Sequence, residues 1–334
     1  ICIHDCPVLC EIGKSAFRGR EVLYPIPEQY GVSTTASNKD YFLDWSHFQI
    51  QVRLRGAEGI EADSDRALFP NASVETVSGG VPLKVPVVIA GLGSTDVARR
   101  NWDGLAIGSA LSGVSVTVGE NVCGMDPASR FENGKVVHSA DLAYRVATYR
   151  KYWDGVHGDI VVQTNVEDQR FGVDLYAIKE LGVTTIERKW GQGAKAIGGE
   201  VRIDSIERAL HLKKLGYVLM PDPEDEAVQE AFRAGAFRTF ERHSRVGMPQ
   251  LDAFVEDVQW LRDNGAKRVF LKTGAYHAPD VAFTLKAASA ARIDQITFDG
   301  AGGGTGMSPV PMMNECATPT VYLAAQVLEG IRIL

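Results

Sequence analysis

Lys189, Gln192 and Lys195 sit close together in the segment ERKWGQGAKAIGGEV (187–201). Two cations and an amide on a Gly-rich turn suit a dicarboxylate, because charge-assisted hydrogen bonds to carboxylates are among the strong ones. The plainer reading is a basic surface loop. Lys272 closes the apolar run in FLKTG (270–274). There it can supply a positive charge to an anionic ligand, or it is a surface lysine at a strand end. Gln163 ends GDIVVQT and Glu120 follows VSVTVG. The amide can hydrogen-bond a ring edge; the carboxylate can bind an ammonium group or form a structural pair. Arg170 orients a ligand or caps the helix that follows it. Gly91, Leu92, Gly93 and Ser94 come directly after PVVIA, where backbone can lie flat against a planar group. Gly303, Gly304 and Thr305 belong to a second Gly-rich run, DGAGGGTG (299–306).

Cysteine chemistry is the other candidate. Cys2, Cys6 and Cys10 form C-x3-C-x3-C, with His4 between them. Closely spaced thiolates hold iron–sulfur clusters, and a fourth ligand could be His4 or lie before Ile1. The spacing does not match the common ferredoxin run, and three ordinary cysteines are the reading we favour over a cluster. Cys123 and Cys316 read as small packing residues. His243, in FERHSRVG, either reaches a site or is structural.

These residues fall at the ends of short apolar runs, which makes the elements around them informative. Strands are expected near 86–91, 114–119, 159–163, 184–190, 268–273 and 295–299. Between them lie helical patterns such as TDVARRNWDGLAIGSALSG, ADLAYRVATYRKYWDG, LDAFVEDVQWLRDNG and PDVAFTLKAASAA. Strands alternating with helices of this length argue for a parallel sheet. Polar and Gly-rich sequence gathers at the C-terminal ends of the strands, the edge where parallel α/β folds bind ligands. A dinucleotide fold would need G-x-G-x-x-G after the first strand. AGLGST lacks the third glycine, so a barrel is the better reading. Before it, residues 61–85 are turn-rich, with a short hairpin expected around PNASVETVSGG.

The blocks, taken in order, resemble the FMN domain of glutamate synthase. ERKWGQGAKAIGGEV is similar to the family pattern I-K-x-A-Q-G-A-K-P-G-E-G-G, matching at Lys189, Gln192, Gly193, Ala194, Lys195, Gly198 and Gly199. It departs at Ala196 and Ile197, with one residue fewer. ITFDGAGGGTGMSP (296–309) resembles I-T-I-x-G-x-D-G-G-T-G-A-S-P through Gly303, Gly304, Thr305, Gly306, Ser308 and Pro309. The family aspartate falls on Gly302, while an aspartate stands earlier at 299. QTNVEDQRFGVDLYAI, FLKTG and the stretch from PVVIAGLGS to TVGEN resemble further blocks. They carry Gln163, Arg170, Lys272 and Glu120. The likeness covers about residues 86–317.

The resemblance implies an α/β fold of the (β/α)8 TIM-barrel type over 86–334, after an N-terminal extension of mixed structure over 1–85. It implies FMN as cofactor. Gly91, Leu92, Gly93, Ser94, Gln163, Lys272, Gly303, Gly304 and Thr305 would line the flavin. Lys189, Gln192, Lys195, Glu120 and Arg170 would serve a 2-oxo acid such as 2-oxoglutarate. The implied reaction is reductive amination, with hydride delivered to an imine to give glutamate or an N-substituted glutamate. Electrons would come from a donor such as ferredoxin or an NADPH-oxidising subunit, and ammonia or an amine from another subunit or from solution. The family carries an iron–sulfur cluster, on cysteines beyond the barrel. Two other functions remain open: an FMN-dependent isomerase or dehydrogenase on another substrate, and a non-catalytic barrel subunit of a multi-component complex.

The chain begins with Ile1 and ends in GIRIL, which reads as the opening of a strand. We therefore expect a fragment holding six of eight barrel strands, without the loops that hold the FMN phosphate. A net charge of −7 over 334 residues argues against a nucleic-acid partner. No apolar run reaches the ~18–20 residues of a membrane span. Five cysteines without a paired framework suit a reducing cytoplasm.

Overall fold

The structure is a computed structural model. It describes residues 33–36, 42–43, 45–49, 73–191, 200–243, 249–301, 304–309, 313 and 316–334. Its centre is a six-stranded, curled parallel sheet. The strands are β1 (Val88–Leu92), β2 (Ser115–Val118), β3 (Ile160–Thr164), β4 (Thr185–Lys189), β5 (Arg268–Thr273) and β6 (Gln295–Phe298). All six fall where the sequence places them, and all neighbouring pairs are parallel.

The order across the sheet is the order along the chain, from β6 at one edge to β1 at the other. A doubly wound sheet reverses its strand order at a switch point. Here there is no reversal, so the winding is that of an incomplete (β/α)8 barrel.

The connections follow from local sequence. Helix α1 (Asp96–Ser112) starts at Thr95, whose hydroxyl accepts from the Ala98 amide, and ends at Gly113 in the left-handed region. Helix α2 (Ala140–Tyr152) is capped by Ser139. After β3, Asn165 and Asp168 form a reciprocal capping box at the start of helix α3 (Val166–Phe171), and helix α4 (Val173–Lys179) completes that crossover. Capping side chains of this kind satisfy amides that a helix start leaves without intrahelical partners. Helix α5 (Leu251–Asp263) leads into β5, and helix α6 (Ala278–Ala290) joins β5 to β6.

Alternation along the strands sorts side chains to two faces. Val116, Val118, Ile160, Val162, Ile186, Val269 and Leu271 share one core with helix residues such as Trp102, Ala106 and Leu261. On the opposite, inner face, Val161 and Phe270 pack against Val81 and Leu83. The last two belong to the hairpin Thr76–Ser78/Val81–Leu83, expected from sequence, which covers the inner face of the sheet at that level. Near the strand N-termini Asp159 accepts from Thr185 Oγ1 at 2.5 Å and from Arg268 Nη2 at 2.9 Å.

Four features depart from expectation. The sequence between β4 and β5 contains an antiparallel sheet of Glu200–Ile203, Phe240–His243 and Val218–Met220, with Phe240–His243 in the middle. A hairpin, Arg130–Glu132/Lys135–His138, turns at Asn133 and Gly134, both with positive φ. The terminal GIRIL is not a strand: helix α7 runs from Thr320 to Ile333. Its Leu323 and Val327 pack toward Leu285, Ile296 and Phe298, an i, i+4 spacing that a strand would not satisfy. Gly304–Pro309 pairs antiparallel with Ser33–Ala36, so part of the second Gly-rich run is extended rather than a loop. No described helix is long and apolar enough to cross a membrane.

Candidate functional site at the strand C-terminal ends

Register brings the candidate side chains together. Gln163 on β3 lies opposite Glu187 on β4, and Lys189 on β4 lies opposite Lys272 on β5. Residues 187 and 189 are two apart, so they share the inner face with 163 and 272. All four side chains are buried. Gln163 Nε2 donates to Glu187 Oε1 at 2.5 Å. Lys189 Nζ donates to Glu120 Oε1 at 2.8 Å, and Lys272 Nζ lies 3.1 Å from Asp299 Oδ2. Glu120, Gln163, Lys189 and Lys272, read from sequence as site residues, thus come from four consecutive strand ends onto one face.

The loops after β1 and β2 touch each other. A Cβ on Gly93 would lie 2.5 Å from the Glu120 carbonyl oxygen, and one on Gly119 would lie 2.5 Å from the Gly93 nitrogen. Gly119 N–H donates to Leu92 O at 2.9 Å. Only glycine permits this approach, which carries Glu120 toward Lys189. Arg145, from α2, fixes the same bend: its Nη1 donates to Leu92 O at 3.2 Å and Gly93 O at 2.9 Å, while Asp141 holds Nε and Nη2. Gly91 lies against the Gln163 amide; a Cβ there would stand 2.9 Å from both its nitrogen and its oxygen. Ser94 follows at the entrance to α1.

The charges shape one another. Burial pushes the Glu120 carboxyl up, but the Lys189 ammonium and its hydrogen bond, a backbone hydrogen bond and Lys272 together outweigh it, and the net shift is downward. For Glu187 burial wins over Lys272, the Gln163 hydrogen bond and Lys189, and the carboxyl is raised. Burial pushes Lys272 down, yet Asp299 and Glu187 together raise it. Beyond Glu120, Asn121 adopts a positive φ and donates its N–H to Asp168. Burial pushes Asp168 up to about 7 despite the N–H bonds it accepts from Asn121 and Asn165.

Other expected residues lie elsewhere. Arg170 donates to Glu167 Oε2 at 2.9 Å and stacks its guanidinium over Phe171; these contacts tie it to α3, apart from the lysine pairs. His243 sits at the end of the central insertion strand, 3.6 Å from Glu241. Cys123 is buried in the core and Cys316 is exposed. Gln192, Lys195 and Gly303 lie outside the described residues, as do Cys2, Cys6 and Cys10. Gly304 and Thr305 begin the strand paired with Ser33–Ala36. Among the described residues no group of His, Cys, Asp and Glu could hold a metal ion.

Sequence reasoning missed Glu187, Arg145 and Asp168. The signal for Glu187 was there: an acid in the strand TIERK, in phase with Lys189. Asp168 also carried a signal, as the N3 acid of an Asn-x-x-Asp helix start. Nothing local marked Arg145.

The fold and site define a half-barrel whose inner face carries two lysine–carboxylate pairs and a buried amide at the strand C-terminal ends. No family profile matches the chain, and no curated protein matches it. Solved structures do. A protein from Pediococcus acidilactici described as a putative lactate oxidase matches with 14% identity and a TM-score of 0.41, over 78% of this chain and 57% of that one. A mandelate oxidase matches with 13% identity and a TM-score of 0.42, over 78% and 60%. The same enzyme with (S)-2-phenylpropionate gives 14%, 0.43, 79% and 59%. The chain spans less than two thirds of the length of these structures.

Proposed function

We propose that this chain is the flavin-binding barrel of an FMN-dependent oxidoreductase similar to glutamate synthase, acting on a 2-oxo acid by reductive amination of its imine. The observation that carries the reading is the grouping of Gln163, Lys189 and Lys272 on one inner face at the strand C-terminal ends. Among the described residues, the buried Gln163 Oε1 has no donor. A buried acceptor without a donor is costly, and a ligand N–H at that point relieves the cost. The pyrimidine edge of a flavin carries such an N–H.

FMN, when bound, supplies the hydride. The chain's own residues do the rest. The Leu92–Gly93 backbone, braced by Arg145, would lie against the ring, together with Gly91 and Ser94. Lys272 would supply a positive charge to the bound flavin and so favour negative charge on its pyrimidine. Gly303, Gly304 and Thr305 complete the cofactor side. Lys189 anchors substrate carboxylate together with Gln192 and Lys195. Glu120 holds Lys189 in place and offers a carboxylate to an incoming ammonium. Electrons come from a partner such as ferredoxin or an NADPH-oxidising subunit.

The test is reconstitution. The full-length protein is titrated with FMN, followed by quenching of flavin fluorescence, and the bound flavin is reduced without oxygen. Addition of 2-oxoglutarate with ammonium is expected to reoxidise it with formation of glutamate. Absence of FMN binding by the full-length protein refutes the flavin reading. Binding without reoxidation, in a protein whose flavin is instead reduced by 2-hydroxy acids, refutes the amination alone.

A further inference from the structure

Glu187 is the acid that the function above leaves unused. It stands in the middle of β4, its side chain almost wholly buried, with Gln163 opposite on β3 and Phe270 opposite on β5. No basic side chain is bonded to it in the described structure. Its bond goes to the Gln163 amide instead, at 2.5 Å. Lys272 and Lys189 act on it through their field and oppose the effect of burial.

An amide has one donor end and one acceptor end, and its terminal torsion is broad and close to two-fold. A carboxylate only accepts. In its ionised form Glu187 therefore takes the Nε2 end of Gln163, the bond seen in the structure, and turns Oε1 away. That oxygen is the buried atom without a donor among the described residues. Gly91 lets the β1 backbone come up against the same amide, which leaves little room for a third orientation.

We propose that Glu187 is a positioning residue: it fixes the Gln163 amide with its oxygen turned from the carboxylate and lacking a donor, so that the site selects a ring carrying an imide N–H. This rests on the FMN reading and adds to it the group that sets the amide. Without Glu187 the amide turns freely, and half of its orientations set an NH2 donor against the ring N–H.

The probe is FMN against N3-methyl-FMN, which lacks that N–H. Dissociation constants for both are measured by fluorescence quenching in the full-length protein, unaltered and as Glu187→Gln and Glu187→Asp, with folding checked by circular dichroism. The unaltered chain is expected to prefer FMN by roughly tenfold or more, equivalent to about 1.4 kcal/mol. Glu187→Gln removes the obligate acceptor at nearly constant shape, and the preference is expected to fall below about threefold. Glu187→Asp withdraws the carboxylate by one methylene and lowers the preference as well, so the idea stays testable if one variant fails to fold. A purely structural role would weaken both flavins together and leave the ratio alone. An unchanged ratio in the folded variants overturns the proposal while the FMN reading stands. Equal binding of the two flavins by the unaltered chain does the same. Binding of neither overturns both.

Discussion

Removing Lys189 should cost more stability than removing both members of its pair. Lys189 and Glu120 meet at 2.8 Å with side chains 8% and 13% exposed, so solvent screens them little. At an effective dielectric of 20, opposite charges at that distance attract by about 6 kcal/mol before desolvation is counted. Lys189→Met keeps the stem and leaves Glu120 buried without its main partner. Breaking one side of a buried pair typically costs about 3–5 kcal/mol. Lys189→Met with Glu120→Gln removes both charges, and most of the loss should return. The assay is urea unfolding of the four proteins in a double-mutant cycle at pH 7. A coupling of about 2 kcal/mol or more is expected. The pH dependence supplies a sign check. Glu120 is lowered in the folded chain, so its contribution is present above its ordinary value and is lost as pH falls through the lowered folded value. The penalty of Lys189→Met should therefore shrink toward acid, where Glu120 is neutral. A coupling under about 0.5 kcal/mol, or a penalty independent of pH, would refute the reasoning.

Three further outcomes are expected. Lys272→Met in the FMN-loaded chain should make the flavin harder to reduce, by on the order of 30 mV or more, which is about 1.4 kcal/mol for two electrons; an unchanged midpoint potential would show that Lys272 serves only Asp299. Lys195→Ala should weaken 2-oxoglutarate more than FMN, by the roughly 1.5–3 kcal/mol of a charge-assisted hydrogen bond, and separate titrations giving equal losses would count against it. Asp168 is raised to about 7, so this group's contribution to stability declines as pH rises from the ordinary aspartate value toward 7. Asp168→Asn should flatten that slope between pH 5 and 8, as read from urea midpoints, and identical slopes in both proteins would dismiss the role.

The barrel was legible because its strands are short, β-branched and each followed by a helix pattern. SVTV, IVVQT and RVFLKT admit few alternatives. The insertion strands were harder. EVRI is half polar, FERH carries three polar residues in a row, and the two pair with each other across some forty residues, so no local turn announces them. The hairpin at 130–138 was not expected, although its Asn-Gly turn carries a local signal, since Asn-Gly favours the positive φ values of tight hairpin turns. GIRIL misled because isoleucine favours strands, whereas the spacing of Leu323, Val327 and Ile331 continues a helical face. At the site, the register of Lys189 with Lys272 was implied by the strand ends. The choice of Glu120 for one and Asp299 for the other was not, because burial and approach across separate loops decide it.

The antiparallel insertion has a consequence for how the sheet is assembled. β3 and β4 are separated by about twenty residues, but β4 and β5 by nearly eighty. If the longer stretch were slack chain, joining its ends would cost about 1.2 kcal/mol more than joining the shorter one, because closure entropy grows with the logarithm of length. A three-stranded sheet within that stretch draws its ends closer before β5 arrives. The insertion then acts as a spacer of fixed span, and the two strands that bear Lys189 and Lys272 meet as though far less chain lay between them.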